Sequence, residues 1–197
     1  DTEILVEEVL KELHDGMRVL DMCTGSGCIL LSLLHYSNDC EGLGVDLSAE
    51  ALEVAGRNVL KVLTPEKAEH AHFLQSNLFE KVEGKFEIIV SNPPYIASAE
   101  VEKLMPEVRD HEPRMALDGT EDGLYFYRRI IEEAGKHLVS SGMLFFEIGY
   151  DQGQAVSELM RTEGYCDVQV VQDYAGLDRV VFGTYVTVQP APFAKSR

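Results

Sequence analysis

Apolar positions along this chain follow two alternating periods. Stretches in which apolar residues recur every three or four positions, typical of one buried helix face, alternate with short apolar runs typical of buried strands. The helical pattern predicts helices at residues 2–14, 30–34, 48–59, 125–138 and 154–161. The short runs predict strands at residues 17–21, 45–46, 72–74, 86–90, 143–148, 167–172 and 179–188. This order predicts an α/β sheet, mostly parallel, whose last two strands form an antiparallel hairpin at one edge.

Two features add to this pattern. Thr2 and Ser48 stand at the starts of the first and third helices, where a hydroxyl group caps free backbone N–H groups. The segment 96–122 is long, charged and interrupted by prolines, so we predict a loop over the site and not a core element.

Composition favours one domain. With 197 residues, 45% of them hydrophobic, the chain can build one substantial core, so we expect a single catalytic domain over residues 1–197. It begins at Asp1 and not at a methionine, so we interpret it as a fragment. No apolar run approaches the roughly 20 residues that cross a bilayer, and no export signal opens the chain. We therefore expect a cytoplasmic, monomeric protein that does not bind membranes.

Charge and cysteine content narrow the possible partners. The formal net charge of −17, from 17 basic and 34 acidic residues, opposes binding to a phosphate backbone, so duplex DNA is not an expected partner. The four cysteines, at positions 23, 28, 40 and 166, lack paired spacing and are expected to be reduced and mostly buried. His70 and His72 have no third ligand at suitable spacing, so no metal site is predicted.

The tetrapeptide Asn92-Pro93-Pro94-Tyr95 follows the predicted strand 86–90 and suits the methylation of a planar NH2 group. Such a nitrogen is a poor nucleophile, so a catalyst must hold both hydrogens and orient the lone pair. The Asn92 side-chain oxygen and the Pro93 carbonyl are the candidate acceptors, and Tyr95 offers a stacking face. Because prolines remove N–H donors, this stretch cannot join a helix. The alternative is an ordinary proline-rich turn that closes a strand.

A glycine-rich turn and an acid indicate a nucleoside site. The turn Asp21-Met22-Cys23-Thr24-Gly25-Ser26-Gly27 lies between a strand and a helix, where an open α/β sheet binds its ligand. The third glycine of the dinucleotide fingerprint and a P-loop lysine are both absent, which argues against phosphate binding. Asp46 ends the next strand, from which a carboxylate can accept hydrogen bonds from both ribose hydroxyls. Together with the tetrapeptide, this pattern predicts S-adenosylmethionine, although a tight turn with a helix-flanking acid is the simpler alternative.

The turn at residues 21–27, the tetrapeptide and the segment Glu112-Pro113-Arg114-Met115-Ala116-Leu117-Asp118-Gly119 resemble the HemK/PrmC family. The segment Asp173-Tyr174-Ala175-Gly176-Leu177-Asp178-Arg179 extends this resemblance to nearly the whole chain. Members of the family methylate a glutamine of peptide chain release factors. The resemblance implies a Rossmann-like class I methyltransferase fold with a seven-stranded sheet.

The resemblance also implies the substrate and the site residues. The substrate is the side-chain nitrogen of the glutamine in a Gly-Gly-Gln motif, and the cofactor product is S-adenosylhomocysteine. The residues that would hold the cofactor are Asp21, Cys23, Thr24, Gly25, Ser26, Gly27, Asp46, Leu47, Asn77, Leu78 and Asn92. The residues that would act in catalysis are Asn92, Pro93, Pro94 and Tyr95.

The chain departs from the family pattern at three places. Members usually carry an acid where Asn77 stands and a glycine where Cys23 stands. Asn77 can still accept a hydrogen bond from the adenine amino group through its side-chain carbonyl. Members also have an N-terminal helical domain that helps to dock the release factor. We interpret the predicted helix 2–14 as the remnant of a linker to such a domain.

The resemblance and the residues together lead to a hypothesis of direct methyl transfer, driven by positioning and preorganised dipoles without a general base. A nucleic-acid amino-methyltransferase that acts on adenine N6 or cytosine N4 is one alternative, because these groups present the same planar NH2. The net charge argues against it. A catalytically silent cofactor-binding module is the other alternative. The acids Glu107, Asp110 and Glu112 are interpreted as a solvated loop face and not as a catalytic pair.

Overall fold

The computed structural model describes residues 1–101 and 117–186. In these two stretches the helices are α1 (Thr2–Glu12), α2 (Cys28–Tyr36), α3 (Ala49–Val62), α4 (Pro65–Ala68), α5 (Ser98–Val101), α6 (Tyr125–Ala134) and α7 (Gly153–Thr162). The strands are β1 (Arg18–Met22), β2 (Glu41–Asp46), β3 (Ala71–Gln75), β4 (Phe86–Ser91), β5 (Leu138–Glu147), β6 (Tyr165–Gln172) and β7 (Asp178–Tyr185).

The seven strands form one sheet in the order β3-β2-β1-β4-β5-β7-β6. The first five strands of this order are parallel to their neighbours, whereas β7 is antiparallel to both β5 and β6. The prediction of a mostly parallel Rossmann-like sheet with an antiparallel edge hairpin is confirmed. Because the chain returns past β1 to add β4, the strand order reverses beside β1, where ligands bind in sheets of this kind.

Helices cover both faces of the sheet. On one face α1 and α2 bury a set of apolar side chains that includes Leu5, Leu30 and Leu33, all 0% exposed. On the other face α6 and α7 pack against the sheet through residues that include Tyr127 and Val156. Each such side chain contributes about 1.5–3 kcal/mol when it leaves water. Helices thus pack on both faces of the sheet.

Several predicted element boundaries are wrong. Helix α1 ends at Glu12 and not at residue 14, and its N-cap is Asp1, which makes no side-chain capping bond. The prediction of a Ser48 cap is confirmed, since Ala51 N donates to Ser48 Oγ at 3.1 Å. Leu138 does not end a helix but begins β5. Helix α4 was not predicted from the apolar pattern.

The segment 96–122 is a loop only in part. It contains α5, and Ile96 forms a parallel bridge with Asp118. Residues 102–116 lie outside the described residues, and with them Glu107, Asp110 and most of the 112–119 motif. The prediction of mostly buried cysteines is wrong: Cys40 is buried, Cys23 is half-buried, and Cys28 and Cys166 are exposed, all four as free thiols. Among the helices of the described residues, none is long and apolar enough to cross a membrane.

Candidate active site

One pocket collects residues from the carboxyl ends of four neighbouring strands, β1 to β4. Its volume is about 180 Å³. Eight predicted site residues line it: Cys23, Gly25, Asp46, Leu47, Asn77, Leu78, Asn92 and Pro94. The other six predicted residues do not line it: Asp21, Thr24, Ser26, Gly27, Pro93 and Tyr95. The structure thus brings the predicted cofactor acid and the predicted acceptor residue Asn92 to a single cavity.

The turn between β1 and α2 is tied to the end of β2. Thr24 N donates to Val45 O at 2.9 Å, and Gly27 N donates to Thr24 O at 2.9 Å. Gly25 N donates to Asp46 Oδ2 at 2.8 Å. The turn and the acid therefore form one rigid wall of the pocket.

Cys23 is one position at which the chain departs from the family pattern. Its φ of 61° lies in the left-handed region, which favours glycine and explains why glycine suits this position. Burial, with smaller contributions from the nearby Asp46 and Asp21 charges, raises the pKa of the Cys23 thiol to about 12. The thiol is therefore protonated at neutral pH and is a poor nucleophile.

Asp46 is held in place by two backbone groups. Its Oδ2 accepts from Gly25 N, and its Oδ1 accepts from Ser48 N at 2.9 Å. A carboxylate has about four acceptor positions, so each oxygen keeps one for a ligand hydroxyl. This arrangement fits a ribose, whose two adjacent hydroxyls are both donors.

Asp21 lies beneath the turn and is 0% exposed. Its Oδ2 accepts from Thr24 Oγ1 at 2.6 Å and from Leu30 N at 3.3 Å, while its Oδ1 is buried without a hydrogen-bond partner. Burial raises the pKa of Asp21 to about 7, although the two hydrogen bonds oppose this shift. Asp21 therefore acts on the pocket indirectly, through the turn and the first turn of α2.

Asn77 and Leu78 form another side of the pocket, directly after β3. Asn77 Nδ2 donates to Glu80 Oε1 at 2.7 Å, which fixes the side-chain amide by its nitrogen. The Asn77 oxygen is thereby left as the acceptor. Leu78 has a φ of 49° and is, after Cys23, a second pocket residue with a left-handed backbone conformation. Both residues line the pocket, and their position beside an adenine stays a prediction.

Residues 92–95 leave β4 without regular secondary structure, as the two prolines predict. Asn92 and Pro94 reach the pocket, whereas Pro93 is buried and Tyr95 is half-buried. The Tyr95 carbonyl accepts from Gln152 Nε2 at 3.0 Å. The chain after β4 is thus held in a fixed course beside the pocket.

A metal site is not formed by the part of the chain that the structure describes. Within residues 1–101 and 117–186, no group of three His, Cys, Asp or Glu residues has the geometry to hold an ion. His72 is exposed and His70 is half-buried. The arrangement at the pocket is one of hydrogen-bond acceptors and apolar walls.

Comparison with known proteins decides the family. A model of the methyltransferase small domain family matches residues 1–108, more than half of the chain. The chain belongs to this family. A relative from Agrobacterium fabrum named release factor glutamine methyltransferase is 44% identical over 187 residues, which is 92% of this chain and 64% of that protein. One from Clostridium acetobutylicum with the same name is 45% identical over 185 residues, again 92% of this chain and 64% of the relative.

Solved structures agree with this assignment. A release factor-specific protein-(glutamine-N5) methyltransferase from Alicyclobacillus acidocaldarius is 28% identical, with a TM-score of 0.55, and the match covers 94% of this chain and 92% of that one. A methyltransferase from Pyrococcus furiosus has a TM-score of 0.67 at 18% identity, with 95% and 84% covered, and shows the fold alone. The methyltransferase domain described here spans just under two thirds of the length of its curated relatives.

The methyltransferase pocket contains six residues that were not predicted as site residues: Met22, Val45, Ser48, Ala51, Ser76 and Phe126. The first five adjoin predicted residues along the chain or lie one helical turn away, so proximity was the available signal. Phe126 comes from α6 and carries no signal in the sequence, because only packing brings that helix to the pocket.

Proposed function

We propose that this chain transfers a methyl group from S-adenosylmethionine to the side-chain amide nitrogen of the glutamine in the Gly-Gly-Gln motif of peptide chain release factors. The observation that carries the proposal is the joint presence of Asp46 and Asn92 in one pocket. The names of relatives at 40–45% identity over most of the chain support it.

The proposed cofactor fits the pocket residues. S-adenosylmethionine, when bound, supplies an electrophilic methyl group and leaves as S-adenosylhomocysteine. The free acceptor positions of Asp46 suit the two ribose hydroxyls, and the turn at residues 23–27 keeps its backbone close to the pocket. The Asn77 oxygen accepts from an adenine amino group, because its nitrogen is already engaged with Glu80.

On the side of the pocket that would hold the substrate amide, the reaction needs hydrogen-bond acceptor oxygens and not a general base. The Asn92 side-chain oxygen and the Pro93 carbonyl accept the two amide hydrogens, and Tyr95 packs against the amide plane. Holding two reactants in attack geometry lowers the barrier by roughly 7–11 kcal/mol. The proton leaves to water after transfer, since a methylated amide nitrogen is strongly acidic while cationic.

Partners and location belong to the same proposal. A release factor is the protein substrate, the enzyme is cytoplasmic, and it acts as a monomer. The net charge of −17 opposes duplex DNA, although adenine N6 or cytosine N4 would suit the same acceptors. A silent cofactor-binding module is the remaining alternative and predicts no transfer to any substrate.

The test is methyl transfer from labelled S-adenosylmethionine to an intact release factor. A factor with Gly-Gly-Ala in place of Gly-Gly-Gln and a duplex DNA serve as controls, and calorimetry measures cofactor binding separately. We expect label on the intact factor alone. Label on DNA would support the nucleic-acid alternative. Cofactor binding without any label would support either the silent module or a need for the N-terminal docking domain, and adding that domain separates the two.

A further inference from the structure

A buried carboxyl group lies beside Asn92 and has no part in the scheme above. Glu147 is the last residue of β5, and only 4% of it is exposed. Strands β4 and β5 are parallel, with Ser91 paired to Phe146, so Asn92 and Glu147 follow side by side at the open end of the sheet. This position places a charged group next to the proposed acceptor residue.

The proposed chemistry requires one particular orientation of the Asn92 amide. Only its oxygen can accept a hydrogen from the substrate, but an amide side chain can turn over and present its NH2 group with almost no change in shape. A neighbour that accepts and cannot donate would remove this ambiguity. An ionised carboxylate is such a neighbour.

We propose that Glu147 is a positioning residue: its carboxylate accepts a hydrogen bond from the Asn92 NH2 group and so holds the Asn92 oxygen toward the substrate amide. This inference rests on the proposed function. Glu147 Oε2 is buried without a hydrogen-bond partner, so the carboxyl group has an unused acceptor position next to Asn92.

The surrounding residues fix the backbone at Glu147. Tyr127 Oη donates to the Glu147 backbone oxygen at 3.0 Å, and Arg179 Nη1 donates to the next carbonyl, that of Ile148, at 3.2 Å. Burial raises the pKa of Glu147, and Thr2, Arg179 and Asn92 oppose that shift without reversing it. The end of β5 is therefore held in place beside Asn92.

The first test replaces Glu147 by residues with fewer side-chain acceptor oxygens. Glu147→Met removes both oxygens at similar length, and Glu147→Gln keeps one oxygen and the shape. We expect kcat for release-factor methylation to fall by up to about 100-fold in Glu147→Met, with an intermediate value in Glu147→Gln and unchanged cofactor affinity. Glu87→Gln is the matched control, because Glu87 accepts from Arg18 N at the opposite end of β4. Equal kcat in all four proteins would overturn the proposal.

The second test exchanges the roles of the two side chains. Asn92→Asp places two carboxylates side by side and should lose most of the activity. Adding Glu147→Gln supplies an NH2 donor that reverses the hydrogen bond between the two side chains and leaves one carboxylate oxygen at position 92 to accept from the substrate, so the double variant should exceed Asn92→Asp by about 10-fold in kcat. A double variant no better than Asn92→Asp would contradict the proposal.

A third measurement does not depend on turnover. In the nitrogen-15 spectrum, the Asn92 side-chain NH2 signal, assigned by its loss in Asn92→Asp, should exchange slowly with water and shift in Glu147→Met. An unchanged signal in Glu147→Met would show that the two groups do not interact. If the chain methylates no release factor even when joined to the N-terminal domain of a relative, the proposed function fails, while this spectrum still decides the role of Glu147.

Discussion

Two residues at the pocket adopt a backbone conformation that disfavours their side chains. Cys23 and Leu78 both have positive φ, which costs roughly 1–2 kcal/mol for a residue with a Cβ atom. Cys23 lies directly after β1, and Leu78 lies in the turn that follows β3. Thr24 N donates to Val45 O next to Cys23. Strain of this kind persists where the surrounding structure determines the backbone, and it is concentrated at functional sites.

Asp21 makes the stability of the fold depend on pH. Its pKa rises from an ordinary value of 3.8 to about 7 because it is buried. The folded chain thus binds a proton that the unfolded chain has lost, and its contribution to stability is present below about pH 4 and is lost as the pH rises through about 7. Asp21→Asn keeps an acceptor for Thr24 and Leu30 but cannot titrate.

We expect the free energy of unfolding of Asp21→Asn, relative to the unaltered chain, to increase between pH 5 and pH 8. Urea titrations of both proteins at the two pH values measure this difference. Because other groups titrate equally in both proteins, the comparison isolates Asp21. A difference that does not change with pH would show that Asp21 is ionised in the folded chain throughout.

At the scale of elements, one side chain joins residues 92–95, the acceptor segment, to the rest of the fold. Gln152 Nε2 donates to the carbonyls of Tyr95 at 3.0 Å and Gly123 at 3.3 Å. Its Oε1 accepts from Gly149 N at 3.0 Å and lies 3.3 Å from Tyr127 Oη. Residues after β4, before α6 and after β5 are thus fixed by a single amide that uses both of its donors.

Gly123 tests whether this junction matters for methyl transfer. It has φ 72°, and a Cβ atom there would overlap the Tyr95 carbonyl and approach Gln152 Nε2. Gly16 has φ 84° with open space around it, so Gly16→Ala carries a similar conformational cost without the overlap. We expect Gly16→Ala to lose roughly 1–2 kcal/mol of stability and Gly123→Ala to lose more, because of the overlap. Only Gly123→Ala should also lower kcat, by about 10-fold or more, because the acceptor segment must shift.

Urea unfolding and methyl-transfer kinetics on the two variants separate the effects. A Gly123→Ala protein with the kcat of Gly16→Ala would mean that the course of the chain at Tyr95 is not critical.

The elements and the site could be predicted to different extents from the sequence. The pocket residues after β1, β2 and β4 were predictable, because parallel strands bring their carboxyl ends together whatever their separation in the chain. Phe126 at the pocket and Gln152 at the Tyr95 carbonyl were not, since helix packing alone places them. Leu138 was misassigned because it continues the helical spacing of Ile130 and Ile131, whereas pairing with Phe86 places it in β5. Apolar spacing alone does not distinguish the end of a helix from the start of a strand at this position.

At the scale of the whole molecule, the net charge of −17 is large for 197 residues. Repulsion among like charges destabilises a compact chain, and salt screens it over about 10 Å at 0.1 M. We expect the urea midpoint to rise between about 10 mM and about 200 mM NaCl. The double variant Glu53→Lys/Glu69→Lys changes two exposed acids and should show a smaller rise. A midpoint independent of salt would mean that local ion pairs already compensate the charge.

The order of the strands divides the pocket into two parts that come from different stretches of the chain. Residues up to Leu78, carried by β1 to β3, form the part that suits a nucleoside. Asn92 and Pro94 form the part that suits an amide, and Gln152 braces the chain beside it. Evolution can therefore alter what is methylated by changing the second stretch while the first is inherited unchanged, which makes this fold a reusable scaffold for new specificities.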